Sequence, residues 1–216
     1  WFGSILGPDG TPFKTRAGDT IKLNDLLDEA EERAFKAVSE KNAEMDTEVG
    51  REIARIVGIG AVKYADLLPN RQTDYVFDWD KLLSLTGNTA PYLQYACTRI
   101  RSIFRKADLD EAQFLESLGS DAVSILQLDS DFEKKLARHL LNFGLVLESV
   151  LEDRRPNYLC NYLFELAGHY TSFYENCPVL KSEGSTRTSR LVLCSLTRQV
   201  LEKGLFLLGI ETPDMM

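Results

Sequence analysis

The sequence predicts a mainly α fold, a helical bundle preceded by a short strand-and-loop fragment. Two observations favour this class. From Asn24 onward, apolar residues recur at spacings of three and four, which is the period of an amphipathic helix. Before that point the chain is rich in residues typical of turns, namely Gly3, Gly7, Pro8, Gly10, Pro12 and Gly18. We therefore expect short strands and a loop over residues 1–23.

Length and composition indicate a folded domain large enough to have its own core. The chain has 216 residues, with 44% apolar and 27% charged residues. At about 150 residues per domain, this length predicts one domain or one domain with a short extension. The composition argues against disordered and low-complexity classes. No apolar run approaches the roughly 20 residues that a transmembrane helix needs.

The net charge argues against a general electrostatic attraction to nucleic acid. Lys and Arg number 25 and Asp and Glu 33, which gives 25 − 33 = −8 and a sequence pI near 4.9. Any binding to RNA must therefore come from a local basic patch.

The cysteines and the first residues indicate the cellular context of the chain. The four cysteines form no Cys-x-x-Cys pair, and we expect reduced thiols in a cytoplasmic protein. The chain starts at Trp1 without a leader-like segment, so we expect a piece of a longer protein without a signal peptide.

The first two helices are predicted from caps and apolar spacing. Asn24 is suited to cap a helix whose apolar face runs from Leu26 to Val38. A second helix is expected from Asp46 or Thr47 to about Tyr64. This helix contains Gly58 and Gly60, which suggest a point of close packing.

An ordered connector is expected over residues 69–78, followed by a short helix over 80–85. Thr89 is a good cap for the next helix, which tolerates Pro91 in its first turn and continues to Ala107. Three further helical stretches are expected at about 130–151, 156–177 and 188–209. The polar segment 181–187 is predicted to be a mobile loop.

The helix after Thr89 carries two distinct faces. At about 100° per residue, one face is apolar and is the predicted core face. Beside it lies a second line of residues at spacings of 3, 4, 3 and 4, which we call the α4 stripe: Tyr92, Tyr95, Arg99, Ser102 and Lys106. Aromatic rings alternating with cations are typical of surfaces that bind unstacked nucleotides, because rings stack on bases while cations bind phosphates.

The spacing of the same stripe also allows a structural interpretation, which is the more common one for such a pattern. The tyrosines would then pack at the rim of the bundle with their hydroxyls in water, and the arginines would pair with acids of a neighbouring helix.

Two other candidate sites, a phosphate-binding loop and a metal site, have weaker support in the sequence. The basic loop GTPFKTRAG at 10–18 lacks the spacing of a phosphate-binding P-loop. The spacings of 9 and 8 along Cys160, His169 and Cys177 fit no zinc motif, so we expect no metal site.

The string GNTAPYLQYACTRIRSIFRKA, from Gly87 to Ala107, resembles the signature of arginyl-tRNA synthetases, which are members of class I. Three further blocks agree with this family in the same order. They are DGTPFKTRAGDTIKLNDLLDEA, VGIGAVKYADLLPNRQTDYVFDWDKLL, and NYLFELAGHYTSFYENCPVL with SRLVLCSLTRQVLEKGLFLLGIETPDMM. The resemblance covers nearly the whole chain.

This resemblance implies the C-terminal portion of an arginine–tRNA ligase, an enzyme that attaches arginine to its tRNA using ATP with magnesium. The loop at 10–18 corresponds to the family's KMSKS-type loop, with Lys14 and Arg16 as the candidate catalytic contacts to ATP phosphates. The motif is degenerate, because Pro12 stands where many relatives have the first lysine. The HIGH-type motif and the nucleotide-binding sheet are missing, so this chain alone is expected to be inactive and to bind no cofactor.

The resemblance also implies three regions and a set of tRNA contacts. Residues 1–23 would end the catalytic domain, 24–86 would form a helical connector on the inner side of the tRNA L, and 87–216 would form the anticodon-binding bundle. The implied contacts with the anticodon loop are Tyr92, Tyr95, Arg99, Arg105, Tyr174 and Met216, and Lys106 joins them as a phosphate contact. We expect arginine tRNA as partner, with ATP and arginine only in the full-length enzyme, and neither DNA nor membrane. The alternative function is an acidic helical module that binds protein and no RNA.

Overall fold

The computed structural model describes residues 2–7, 9–11, 22–41, 45–119 and 126–216. Within these ranges the chain is mostly helical, which confirms the predicted fold class. Its elements in order are β1 (Ile5–Leu6), α1 (Leu23–Lys41), α2 (Thr47–Leu67), β2 (Tyr75–Val76), α3 (Trp79–Leu82), α4 (Ala90–Lys106), α5 (Glu111–Leu118), α6 (Asp131–Leu141), α7 (Phe143–Asp153), α8 (Asn157–Asn176) and α9 (Gly184–Leu207).

A small parallel sheet attaches the first residues of the chain to the segment 69–78, which the sequence predicted to be an ordered connector. Strand β1 pairs with β2, with Ile5 opposite Tyr75 and Leu6 opposite Val76. The backbone N–H of Phe77 then donates to the carbonyl of Leu6 at 2.7 Å. Phe77 is buried beside the ring of Trp79, with ring centroids 4.9 Å apart. The predicted connector is therefore ordered because its aromatic side chains are anchored in a core.

Helices α1 and α2 form a closely packed antiparallel pair. Asp46 caps α2, since its Oδ1 accepts the backbone N–H groups of Glu48 and Val49 at 2.9 and 3.2 Å. The predicted cap at Asn24 is wrong, because α1 already begins at Leu23. The carbonyl of Lys22, two residues before Asn24, accepts the N–H of Leu26 at 3.1 Å. Gly58 lies directly against the backbone of α1 at Ala30, which confirms the predicted close packing.

The main core lies between α4, α6, α8 and α9. Thr89 caps α4 as predicted, with its Oγ1 accepting the N–H of Tyr92 at 3.2 Å. The predicted core face of α4 is buried: Leu93, Ala96, Cys97, Ile100, Ile103 and Phe104. Burial of such a face is the main driving force for helix packing, at about 25 cal/mol per Å² of apolar surface. Within the described ranges, no helix is both long enough and apolar enough to span a bilayer.

Two further local predictions are wrong, and one helix was missed. The stretch predicted at 130–151 is two helices, because the N–H of Asn142 bonds back only three residues, to the carbonyl of His139 at 3.1 Å, and this tight turn ends α6. Helix α5 was not predicted; Asp110 caps it by accepting the N–H of Gln113 at 2.8 Å. The segment predicted as a loop at 181–187 contains the start of α9 at Gly184, where Ser and Thr hydroxyls bond to neighbouring groups.

Candidate nucleic-acid interface

The α4 stripe lies along the edge of the bundle, beside the buried face of α4. Tyr92 is half-buried against α8: its ring centroid is 5.8 Å from that of Phe164 in an edge-to-face arrangement, and its hydroxyl is 3.4 Å from Thr171 Oγ1. Phe164 and Thr171 are seven residues apart on α8, so they lie on one face of that helix. They fix the orientation of the Tyr92 ring while leaving part of it accessible.

Arg99 lies about two turns beyond Tyr92 along the stripe, above the ring of Tyr174. Its guanidinium carbon is 4.7 Å from the centroid of that ring, which is a cation–π contact. The structure therefore brings Tyr174 to the stripe, although the two residues belong to different helices. A cation–π contact uses the charge of the guanidinium but none of its N–H donors in a conventional hydrogen bond, so those donors are available to a phosphate or a base edge.

The two neighbouring arginines of α4 differ in their charge partners. Arg101 forms ion pairs with Glu202 and Asp214, both at 2.9 Å. Within the described ranges, Arg99 has no carboxylate at ion-pair distance. The structural interpretation, in which arginines pair with acids of neighbouring helices, thus applies to Arg101 and not to Arg99.

Tyr95, which lies between Tyr92 and Arg99 in the stripe, lines a cleft together with Met216. Tyr95 is 39% exposed, which is high for an aromatic residue on a packed helix. The cleft has a volume of about 610 Å³ and lies between α1, α2, α4 and the end of the chain. Met216 is half-buried and packs on the apolar cluster that contains Val57. The cleft is mostly apolar, with an aromatic wall and a polarisable thioether, and this is a suitable environment for a flat base.

Arg105 and Lys106 end α4 and are exposed. Neither residue has an ion-pair partner in the part of the chain that the structure describes. With Arg99 they leave three uncompensated cations on or beside the stripe of a protein whose net charge is −8. The predicted local basic patch therefore has a physical basis, because nearby acids neutralise only Arg101.

The remaining predictions from the sequence concern the basic loop, metal binding and the cysteines. Lys14 and Arg16 lie outside the described residues. Among the described residues, no three His, Cys, Asp or Glu side chains come together as potential metal ligands. All four cysteines are buried and free, and burial raises the pKa of the Cys160 and Cys194 thiols to about 12. A thiol with such a pKa is protonated at neutral pH and is a poor nucleophile.

Two family models match the chain. The model described as the DALR anticodon binding domain matches residues 93–216, more than half of the chain. The chain belongs to this family. A second model, described as the catalytic domain of class I tRNA synthetases (R), matches residues 1–79. The match thus includes α4 from Leu93 onward, α8, α9 and most of the interface side chains described above, namely Tyr95, Arg99, Arg105, Lys106, Tyr174 and Met216. Tyr92 lies one residue before its start.

Similar proteins identify the arginyl-tRNA synthetase family over the whole chain, as the sequence predicted. The arginine–tRNA ligases of Proteus mirabilis and Enterobacter sp. (strain 638) are 51% and 52% identical over 216 residues. The chain spans 36% of the length of these relatives. The arginyl-tRNA synthetase of Thermus thermophilus has the same fold, with a TM-score of 0.83 and 30% identity over 100% of this chain and 35% of its own. That of Plasmodium falciparum gives 0.81 and 30% over 100% and 34%.

Sequence reasoning found the α4 stripe but not the side chains that support it. Phe164 and Thr171 were not singled out, although their spacing of seven on a predicted helix was a usable signal. Gln94 and Arg101, which contact the last residues of the chain, gave no such signal. Their partners are more than 100 positions away, and no spacing rule connects residues at that distance.

Proposed function

We propose that this chain is the tRNA-binding part of an arginine–tRNA ligase and that it binds the anticodon loop of arginine tRNA. The observation that carries this proposal is the combination, along one edge of the bundle, of accessible rings with cations that have no ion-pair partner among the described residues. Sequence-specific RNA recognition usually targets loops, because their bases can be unstacked and placed on aromatic side chains. The stripe and its cleft offer such side chains in a fixed arrangement.

The side chains of the interface have separate roles in this proposal. Tyr95 and Met216 accept one unstacked base in the cleft between them, and Tyr92 stacks on a second base. Arg99, oriented by Tyr174, donates to a phosphate or to a base edge. Arg105 and Lys106 contact phosphates of the loop backbone. The acidic remainder of the domain repels RNA elsewhere and favours a single orientation of the loop.

In the full-length enzyme, this binding would accompany the attachment of arginine to its tRNA. ATP with magnesium supplies the energy for activating the amino acid. Lys14 and Arg16 are the candidates in this chain for contact with the ATP phosphates. We propose that the rigid helices between Asn24 and Asp80 transmit anticodon binding to that loop, and that the connector at 24–86 lies against the inner side of the tRNA. A cytoplasmic location is proposed on the basis of the family.

A titration with labelled tRNA tests the proposed function. The chain should bind arginine tRNA more tightly than the same tRNA with its middle anticodon base changed, because an altered base loses its contacts in the cleft. Affinity should fall steeply between low and moderate salt, because phosphate contacts release counterions. Equal affinity for both RNAs, or no binding, would favour the acidic module that binds protein.

Replacing Tyr95 with Ala should raise the Kd for arginine tRNA by roughly 5- to 150-fold. Loss of one base–aromatic stack costs about 1 to 3 kcal/mol, and about 1.4 kcal/mol is tenfold. A matched control is Phe206→Ala on α9, since Phe206 is also an exposed ring beside a cation, with Lys203 Nζ 5.1 Å from its centroid. The control should bind with unchanged affinity. Equal effects of both substitutions would contradict the assignment of Tyr95.

Replacing Arg105 and Lys106 together with Gln should weaken binding to all RNAs by a similar factor. The two cations are assigned to phosphates, which carry no sequence information. The slope of log affinity against log salt should become shallower by about 0.7 to 0.9 for each lost phosphate contact. The preference for the correct middle base should stay the same. An unchanged salt slope would show that neither cation contacts a phosphate.

A further inference from the structure

The last residues of the chain have no helical structure, yet side chains of two helices hold them in place. We call residues 209–216 the final segment. Lys63 Nζ of α2 donates to the carbonyl of Gly209 at 2.5 Å. Arg55, also on α2, forms an ion pair with Glu211 at 2.8 Å. The guanidinium lowers the pKa of the Glu211 carboxyl through this hydrogen bond, so the pair is charged at neutral pH.

Helix α4 holds the same segment through a buried amide. Gln94 is fully buried, and its Nε2 donates to the carbonyl of Glu211 at 2.8 Å and to that of Ile56 at 3.2 Å. Gly60 makes this arrangement possible, because a Cβ there would lie 2.9 Å from Gln94 Nε2 and 3.1 Å from Ile210 Cγ2. The amide thus connects α2, α4 and the final segment at one buried point.

Arg101 holds the segment closer to its end. Its Nη1 donates to the carbonyl of Pro213 at 2.7 Å and lies 2.9 Å from Asp214 Oδ1, while its Nη2 is paired with Glu202 at 2.9 Å. Asp214 is 93% exposed, so that ion pair adds little. The bond to the carbonyl of the buried Pro213 is the stronger constraint, and Glu202 fixes the guanidinium that makes it.

We propose that Arg101 and Gln94 are positioning residues that hold Met216 in the cleft beside Tyr95, ready for an RNA base. This inference rests on the proposed function of that cleft. Met216 is only three positions after Pro213, which is a reach of about 10 Å. Without such anchors the end of a chain is usually poorly ordered. Fixing the segment before binding removes the cost of ordering it when the RNA binds.

The effect on RNA affinity tests this role. Met216→Ala and Arg101→Gln should each raise the Kd for an anticodon stem-loop of arginine tRNA by about fivefold or more. The double variant should bind no more weakly than the weaker single variant, because both changes remove the same contact. Arg101→Lys should restore part of the affinity, since an ammonium can also donate to the Pro213 carbonyl.

Arg198→Gln is a matched control for loss of an arginine from the same charge network. Arg198 pairs with Glu111 and Glu202 and makes no contact with the final segment. This variant should lower the midpoint of thermal unfolding and leave RNA affinity unchanged. Arg101→Gln should stay folded, because Glu202 keeps Arg198 as its partner.

The methyl NMR signal of Met216 gives a readout that does not depend on RNA. The chain has three methionines, so a spectrum with ¹³C-labelled methionine methyl groups is readily assigned. In the wild-type chain the Met216 methyl should have a shift distinct from that of a free chain end, because it packs on the cluster around Val57. In Arg101→Gln it should move to the free-chain value, and in Arg198→Gln it should not.

The possible outcomes separate this inference from the function on which it rests. If Tyr95→Ala weakens binding but Met216→Ala or Arg101→Gln does not, the positioning role is wrong and the RNA-binding function stands. Additive losses in the double variant, or an unmoved Met216 methyl signal in Arg101→Gln, would also overturn it. If no variant changes affinity, both proposals fail.

Discussion

Replacing Glu133 with Leu is expected to lower the free energy of unfolding by about 3 to 5 kcal/mol. The Glu133 carboxylate is only 1% exposed and is the acceptor for three donors. Arg190 Nε donates to it at 2.7 Å, and the backbone N–H groups of Ser130 and Asp129 donate at 2.8 and 2.9 Å. Leucine would fill the space but leave a guanidinium and two backbone N–H groups without this acceptor. Urea denaturation at pH 7 measures the loss.

The pH dependence of stability provides the control for Glu133. Burial alone would raise the pKa of this carboxyl, but the Ser130 N–H and the Arg190 guanidinium together outweigh burial and lower it. A group whose pKa is lower in the folded state stabilises the fold above its unfolded pKa, and this contribution disappears as pH falls through the folded value.

Glu133→Gln keeps an acceptor oxygen and removes the charge. It should be less destabilising than Glu133→Leu, and it should lose less stability than the wild-type chain between pH 7 and about pH 3. Identical pH profiles for the wild-type chain and Glu133→Gln would contradict the assignment of a stabilising buried charge.

Local chemistry explains which parts of the fold the sequence predicted. Thr89 caps α4 as expected, and α2 begins at Thr47 as expected, directly after its cap Asp46. Such starts are predictable because a cap depends on a side chain and the backbone N–H groups two or three residues later. The buried face of α4 was also predicted, since helical periodicity is fixed by geometry. The break at Asn142 was missed because the apolar pattern continues through it, and a single i to i−3 bond is enough to end a helix.

In the candidate interface, too, the sequence predicted which residues share a face of one helix but not which distant residues contact them. Spacing placed Tyr92, Tyr95 and Arg99 on one face of a helix, and the structure shows that they lie along the edge of the bundle. Spacing placed Tyr174 off the apolar line of its own helix but did not connect it to α4, and it contained nothing about Met216. Their assignment to the anticodon loop entered through the family resemblance. The structure places Tyr174 under Arg99 and Met216 in the cleft of Tyr95. Their roles in RNA binding stay predictions.

Contact between α1 and α2 makes Gly58 the most restrictive glycine of this helix pair. A Cβ at this position would lie 2.6 Å from the carbonyl oxygen of Ala30, 2.7 Å from its carbonyl carbon and 2.9 Å from the backbone nitrogen of Glu31. All three are backbone atoms, so no rotation of a side chain relieves the overlap. The two helices must separate if a methyl group is introduced.

Gly58→Ala is therefore expected to lower the free energy of unfolding by about 3 kcal/mol, the upper end of the usual cost of overpacking. Gly168→Ala in α8 is the matched control, since no atom lies within 4 Å of a Cβ there. Alanine is favoured over glycine inside a helix by about 1 kcal/mol, so the control should be more stable than the wild-type chain. Opposite signs for the same substitution in two helices would separate packing from helix propensity in a single denaturation experiment.

Gly58→Ala should also weaken RNA binding, because α1 provides part of the wall of the Tyr95 cleft through Ala34 and Val38. Separation of α1 from α2 would widen the cleft and loosen the contact of Met216 with its apolar cluster. The Kd for the anticodon stem-loop, measured at a temperature where Gly58→Ala is still fully folded, should therefore rise while that of Gly168→Ala stays unchanged. Unchanged affinity in Gly58→Ala would mean that the packing of α1 on α2 contributes to stability alone and that α4 and the final segment suffice to form the cleft.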